Sequence, residues 1–428
     1  MTADDALGGR LADSLDRALT DLDPGPGDLA GAVEQGQRLR RRRRTAVVAG
    51  VAAGVVAAAG VGAGVRALAG DERPEPAPSV PAEGWERGAD GPLSARHSPL
   101  VVWTGEEVVV LGGHSGVPCP PNADCAVPDD WEQGGAAWDP ATDRWRAVTT
   151  LSPTQVDATT PHAVVDGEVM LQVRPREWWM TGGNVKAWGR LPRAPLPTHA
   201  LPTVHDGEVA VVADDGRVMT FTLAAGWRIL PDDPGTPRLE DGRVFATELG
   251  LLRTGFDYDA AAPDEPTTVQ VDRLRPDDTW ERLPAPDQLG DFTTWTGTHL
   301  VSAATGGADG GEVNGWDRWV PDGGRYDPRT GRWRPLPDVP DRPASSPDWG
   351  WTAEAAEGPL VVSGGRLYDD RTGTWTDLGS HPSRHGYATG AALADGRLVT
   401  FGGFDASGPD WDDGEVGDQL WVWTPPDG

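Results

Sequence analysis

Trp131 follows Asp129-Asp130, Trp316 and Trp319 bracket Asp317, and Trp411 lies between Asp410 and Asp412-Asp413. An indole beside carboxylates is the chemistry of a sugar site. The flat ring covers the apolar face of a pyranose, and the carboxylates accept from its hydroxyls. The same tryptophans would equally serve as lids that pack their loops onto the body below. The run Asp410-Trp-Asp-Asp-Gly also offers oxygens of the kind calcium favours, without the fixed spacing of a calcium loop. Calcium is therefore the one cofactor left open. Arg96-His97 and Arg384-His385 form a second set, each just ahead of an apolar run, where the two side chains would either pack or meet a ligand. Cys119 and Cys125 are the only cysteines and stand six residues apart. They lack Cys-x-x-Cys spacing and a zinc-type histidine, so a local disulfide is expected if the domain is exported. No Gly-x-Ser-x-Gly elbow or His-Glu-x-x-His helix is present, and no catalytic residue is assigned.

These residues need a scaffold, and the scaffold is repetitive. Short Gly turns join apolar runs at Thr104-Gly105-Glu106, Asp166-Gly167, Asp206-Gly207, Asp241-Gly242, Thr296-Gly297, Glu357-Gly358 and Asp395-Gly396. A tryptophan strand follows six of them, at Trp145, Trp188, Trp227, Trp280, Trp333 and Trp375, and Trp85 is left over ahead of the first. Such turns suit two-residue hairpins, because Asp and Gly tolerate positive φ. Each unit reads strand, Gly turn, strand, variable loop, strand, tight turn, Trp strand. A unit of this kind cannot bury its own core and must stack on its neighbours. The seventh unit ends after three strands, and the stretch around Trp85 supplies the missing fourth, closing a ring without an open edge. The spacing predicts an all-β propeller of seven blades, with six or eight as the alternatives.

Further motifs recur inside the units. The turn between third and fourth strands reads Trp138-Asp-Pro-Ala-Thr-Asp-Arg-Trp145, Tyr326-Asp-Pro-Arg-Thr-Gly-Arg-Trp333 and Tyr368-Asp-Asp-Arg-Thr-Gly-Thr-Trp375. Gly-Gly ends the second strand at Gly112-Gly113, Gly364-Gly365 and Gly402-Gly403. This pattern resembles the kelch repeat, clearly in units one, five, six and seven and in degenerate form in units two to four. The resemblance places the loops between second and third strands on one face: 114–134, 308–322 and 404–417, which hold the four tryptophans named above. It also directs Arg96 and Arg384 toward the mouth of the central channel. The copper oxidases of this architecture need a metal set of two tyrosines and two histidines that the sequence does not display.

The first eighty residues are of another kind. Leu7, Leu11, Leu15, Leu19 and Leu22 recur at steps of three and four, as on one face of a helix. Pro24-Gly25-Pro26-Gly27 breaks it, and a second helical pattern leads to Arg40–Arg44. Residues 45–69 are apolar except for Arg66 and are long enough to cross a bilayer. The arginine run on their N-terminal side would keep that side cytoplasmic. Ala67-Leu68-Ala69 offers a rival reading, a cleaved secreted form. The expected organisation is a tail over 1–44, a transmembrane helix over 45–69, a Pro-rich spacer over 70–81 and the propeller over 82–428. The tail loosely resembles those of actinobacterial membrane proteins associated with extracytoplasmic-function sigma factors.

Charge narrows the partners. The net charge is -29, while acids and arginines balance over residues 1–44, so the propeller carries the excess. So acidic a surface repels phosphate backbones and excludes nucleic acid as a partner. The expected function is a membrane-anchored extracytoplasmic module that binds a protein or carbohydrate ligand. The alternatives are a sensor acting on a cytoplasmic partner through residues 1–44, and a carbohydrate-active or oxidase enzyme on the loop face.

Overall fold

A computed structural model describes residues 84–425, apart from short stretches at 121–129, 150–154, 183–184, 232–238, 257–268, 285–292, 304–322, 338–353, 380 and 407–410. The expected tail, transmembrane helix and spacer lie outside the described residues. No helix among those described is long and apolar enough to cross a membrane.

The chain forms seven four-stranded antiparallel sheets, the blades of a β-propeller. Blade 1 comprises Leu100–Trp103, Val108–Leu111, Gly135–Asp139 and Arg144–Ala147. Blades 2 to 6 follow over residues 162–190, 203–229, 240–282, 293–335 and 355–377. First strands of adjacent blades touch one another, so they line the axis and the tryptophan strands form the rim. Blade 7 takes Gly390–Ala394, Arg397–Phe401 and Leu420–Trp423 from the end of the chain and Trp85–Arg87 from its beginning. The closing pair is in register Trp85↔Trp423, Glu86↔Val422 and Arg87↔Trp421. Gly84 and Thr424 meet on the face of the tight hairpin turns, where the Thr424 N–H donates to the Gly84 carbonyl at 2.9 Å.

The core lies between blades rather than within them. Seven apolar clusters are found among the described residues, and each bridges one neighbouring pair. Strand periodicity makes this possible. Val108 and Val110 face blade 7, whereas Val109 and Leu111 face blade 2. A strand buried on both faces needs an unbroken apolar run, which is what Val108–Leu111 provides.

The rim tryptophans clasp each blade to the one before it. In six of the seven blades the indole N–H donates to a backbone carbonyl just past the preceding blade's fourth strand. Trp145 reaches Ala89 at 2.8 Å, Trp188 Thr149 at 2.6 Å, Trp227 Pro192 at 2.9 Å, Trp375 Pro337 at 3.0 Å and Trp85 Leu378 at 2.8 Å. Trp280 makes the same bond to Pro231 at 3.3 Å. In blade 5 the equivalent carbonyl, Pro284, accepts from the Tyr326 hydroxyl at 2.7 Å. An indole has one donor and a large apolar body, so the residue fills the gap between blades and satisfies a carbonyl there.

The double glycines of blades 1 and 7 have a common cause. Gly112 and Gly113 have φ of 59° and 91°, and Gly402 and Gly403 have 73° and 104°. The lead-in segment of the next blade runs against them: Gly113 N–H donates to Val156 at 2.8 Å and Gly403 N–H to Arg96 at 2.9 Å. A Cβ on Gly112 would stand 1.9 Å from the Val156 carbonyl oxygen, and one on Gly402 2.3 Å from that of Arg96. Gly112→Ala is expected to cost roughly 2–3 kcal/mol, from left-handed strain and a displaced hydrogen bond. Gly105→Ala, also at positive φ but with nothing within 4 Å of its Cβ, should cost only the strain. Urea midpoints of the two variants check the difference.

Gly364-Gly365 follows the second strand of blade 6 as expected, and there it is itself the tight turn into the third, because only two residues separate Leu360–Ser363 from Arg366–Asp369. One expected turn is placed differently. Asp241-Gly242 lies within the strand Glu240–Thr247, at an irregularity in its register, and the hairpin turn falls at Glu248-Leu249.

Blade 4 carries an unusual buried charge group. Asp272, with a fully buried side chain, faces Arg253 and Arg282 across neighbouring strands. It accepts from Arg253 Nη2 at 2.7 Å and from Arg282 Nε. Arg253 also donates to the Gly216 carbonyl at 3.3 Å and stacks over Trp280 at 4.6 Å. Asp370 of blade 6 is buried likewise and accepts from Thr296, Thr298 and His299 of blade 5 at 2.7–2.8 Å. Burial would push its pKa up, but the hydrogen bonds from His299, Thr296 and Thr298 and the His299 charge hold it at about 2.

Candidate functional site

The antiparallel order puts the loops between second and third strands, and the connections between blades, on the face opposite the hairpin turns. Among the described residues, that face is most elaborate over blades 7 and 1. Two isolated bridges extend blade 1 upward, His97 to His114 and His114 to Trp131. Blade 7 repeats them as Tyr387 to Phe404 and Phe404 to Val416. Ser98 and Ala388, the next residues along, share a φ of 48° and 50°, and Ser98 N–H donates to the Ala388 carbonyl at 2.6 Å.

This alignment corrects the equivalence read from the sequence. The counterpart of His97 is Tyr387, not His385, and that of Arg96 is Gly386 rather than Arg384. Nor is Arg96 directed at the channel mouth: it is 1% exposed. Its guanidinium donates to the carbonyls of Ser94, Gly112 and Gly134 and to the Ser94 hydroxyl, with Glu132 at 3.6 Å. Those bonds fasten the lead-in of blade 1 to both ends of its own long loop. Arg384 is exposed and His385 half-buried.

Trp131 packs on His114 at a tilt, ring centroids 4.1 Å apart, and His114 lies flat on His97 at 5.1 Å. Asp130 and Asp157 hold the two nitrogens of His114 at 3.0 and 3.5 Å. The hydrogen bonds from His114 and Gly116 outweigh burial and lower the Asp130 pKa. Trp411 is held by Tyr387 and Phe404, at 5.1 and 5.2 Å, and donates to the Pro118 carbonyl at 2.6 Å. The Tyr387 hydroxyl donates to the Cys119 carbonyl at 3.2 Å. The long loops of blades 1 and 7 are thus tied together across their seam. Both indoles serve as lids, and both remain only partly buried.

Trp316, Trp319 and Cys125 lie outside the described residues. No free cysteine is found among those described. Around Trp411 the turn Trp411–Asp413 leaves Asp412 and Asp413 exposed, and no group of three acidic, His or Cys side chains among the described residues is close enough to hold a metal ion. His114, Asp157, Phe404 and Tyr387 escaped the sequence reading. The signal that would have found them is the distance to the first strand, three residues from His97 to Leu100 and from Tyr387 to Gly390. No family model matches the sequence, and no curated protein matches it.

Proposed function

We propose that the chain is a kelch-like propeller, anchored in the cell membrane with its N-terminus cytoplasmic, that binds a protein or carbohydrate ligand on its long-loop face. The observation that carries this reading is the joined platform of blades 1 and 7. Its loops are held by Arg96, Trp131, Tyr387 and Trp411, so a ligand would meet a preformed surface at little ordering cost. The described chain enters the propeller on the opposite face, at Gly84, so its point of entry leaves the platform uncovered. Kelch character rests on the aromatic-Asp turns at Trp138, Tyr326 and Tyr368, the double glycines and the rim tryptophans. We keep Cys119–Cys125 as a proposed disulfide within the blade 1 loop, which non-reducing peptide mapping checks.

The test is a glycan and protein array probed with the compact 78–428 unit, with and without calcium. Binding that is lost when Trp411 and Asp412 are replaced by Ser supports the reading. A silent array together with turnover of a sugar or alcohol substrate would overturn it in favour of an enzyme.

A further inference from the structure

Four histidines have a folded environment that opposes their protonation: His97, His162, His381 and His385. Three of them fall in the two segments that lead into blades 1 and 7. His162 alone lies elsewhere, in the first strand of blade 2.

His97 is 5% exposed, and its Nε2 has no hydrogen-bond partner. Its Nδ1 lies 3.1 Å from the Ser98 hydroxyl. The group packed on its ring is His114, behind which stand Asp130 and Asp157. The neighbouring Arg96 turns its guanidinium to backbone carbonyls. His381 sits edge-on to Trp85 of the closing strand at 5.2 Å. Its Nε2 is 3.1 Å from the hydroxyl of Thr400 in blade 7, and its Nδ1 lies 3.2 Å from the Ser383 carbonyl, which offsets part of the cost of protonation, and 3.3 Å from the Ser383 N–H. His385, whose charge opposes that of His381, packs on Gly417 and faces Asp405, Glu415, Asp418 and Arg384.

We propose that the closure of blade 7 against its two neighbours is an acid-sensitive latch, in which protonation of His97 on the blade 1 side, and of His381 and His385 in the segment leading in from blade 6, loosens the lead-in segments and unseats the closing strand Trp85–Arg87. The chemistry is local. A proton on His97 puts a charge on a buried ring whose free nitrogen has no acceptor, face to face with a second imidazole. A proton on His381 charges a ring wedged against the tryptophan that anchors the closing strand. Asp405, Glu415 and Asp418 offset part of the cost at His385, so His97 and His381 carry most of the effect.

The direction follows from linkage. Burial, and for His97 also the His114 charge, hold both groups at about 4 in the folded chain, below the ordinary value of 6.5. The unfolded chain therefore takes up these protons first as pH falls. Their contribution to stability is complete above pH 6.5, declines between 6.5 and 4, and is flat below. A lowering from 6.5 to 4 limits the effect to about 300-fold in the folded-to-unfolded ratio per histidine. The window lies above that of the carboxylates, so the two are separable.

The experiment is hydrogen exchange on the full chain at pH 7.0 and 4.8, corrected for intrinsic rates. Residues 84–88, 95–99, 381–389 and 420–423 should lose at least tenfold in protection while blades 3 to 5 keep theirs. His381→Gln and His97→Gln, alone and together, should flatten that difference, and His162→Gln should leave it in place. If a glutamine variant does not fold, the wild-type exchange pattern decides alone. Uniform loss over all seven blades, or no loss between the two pH values, would overturn the latch.

Discussion

A chain that begins at residue 91 is expected not to close its ring, whereas one that begins at residue 82 should be as stable as the whole. The three residues Trp85–Arg87 complete blade 7, and Trp85 contributes most of their apolar burial. Truncating a large buried aromatic costs about 3–5 kcal/mol. Removing the strand also frees the Trp145 clasp at Ala89 and the bonds of Gly84 and Gly88 to Thr424 and Leu420. Domains of this kind are stable by only about 5–15 kcal/mol in total. The shorter chain should therefore melt far below the longer one, or fail to accumulate in soluble form. What remains at its edge is Leu420-Trp421-Val422-Trp423, a flat apolar strand with its hydrogen-bonding groups bare, and such edges aggregate. Trp85→Ala, compared with wild type by thermal melting, isolates the side chain from the strand. Equal stability of the two truncations would refute the closure.

Asp272→Ala is expected to destabilise the domain by about 3–5 kcal/mol, through the charges it leaves behind rather than the bonds it removes. Arg253 is 5% exposed at its side chain and Arg282 31%, so Arg253 would remain charged, buried and unpaired, while Arg282 would turn partly to water. The loss should be rescued by Asp272→Leu with Arg253→Met, a pair that fills the same space without charge. Denaturant midpoints of the single and paired variants form the cycle. A rescue confirms that the cost lies in the orphaned guanidinium. No rescue would place it in the packing of Trp280 beneath.

The architecture was legible because each repeat has a physical duty that only a few residue types perform. Val108–Leu111 had to be apolar on both faces, the rim position had to fill a gap and donate once, and the hairpins had to tolerate positive φ. The missing fourth strand of blade 7 and the spare Trp85 were readable on the same grounds. The site was less legible. Arg96-His97 and Arg384-His385 look alike in sequence, yet the two lead-in segments are offset by two residues, and only backbone pairing reveals that His97 matches Tyr387. The packing of Trp131 on His114 joins residues 17 apart through a loop whose path no local pattern dictates. Likewise, Asp241-Gly242 has turn chemistry but stays in a strand, because the extended first strand of blade 4 runs past it to pair with 250–256.

Gly84 and Thr424 lie side by side, joined by a backbone hydrogen bond. A few residues of linker would bridge them and leave the ring with no natural starting point. New ends could then be cut at Thr104-Gly105-Glu106 or Asp166-Gly167, so that an ordinary hairpin becomes the closing seam and blade 7 an ordinary blade. Circular permutants of this kind would separate what the order of synthesis contributes to assembly from what the finished ring requires.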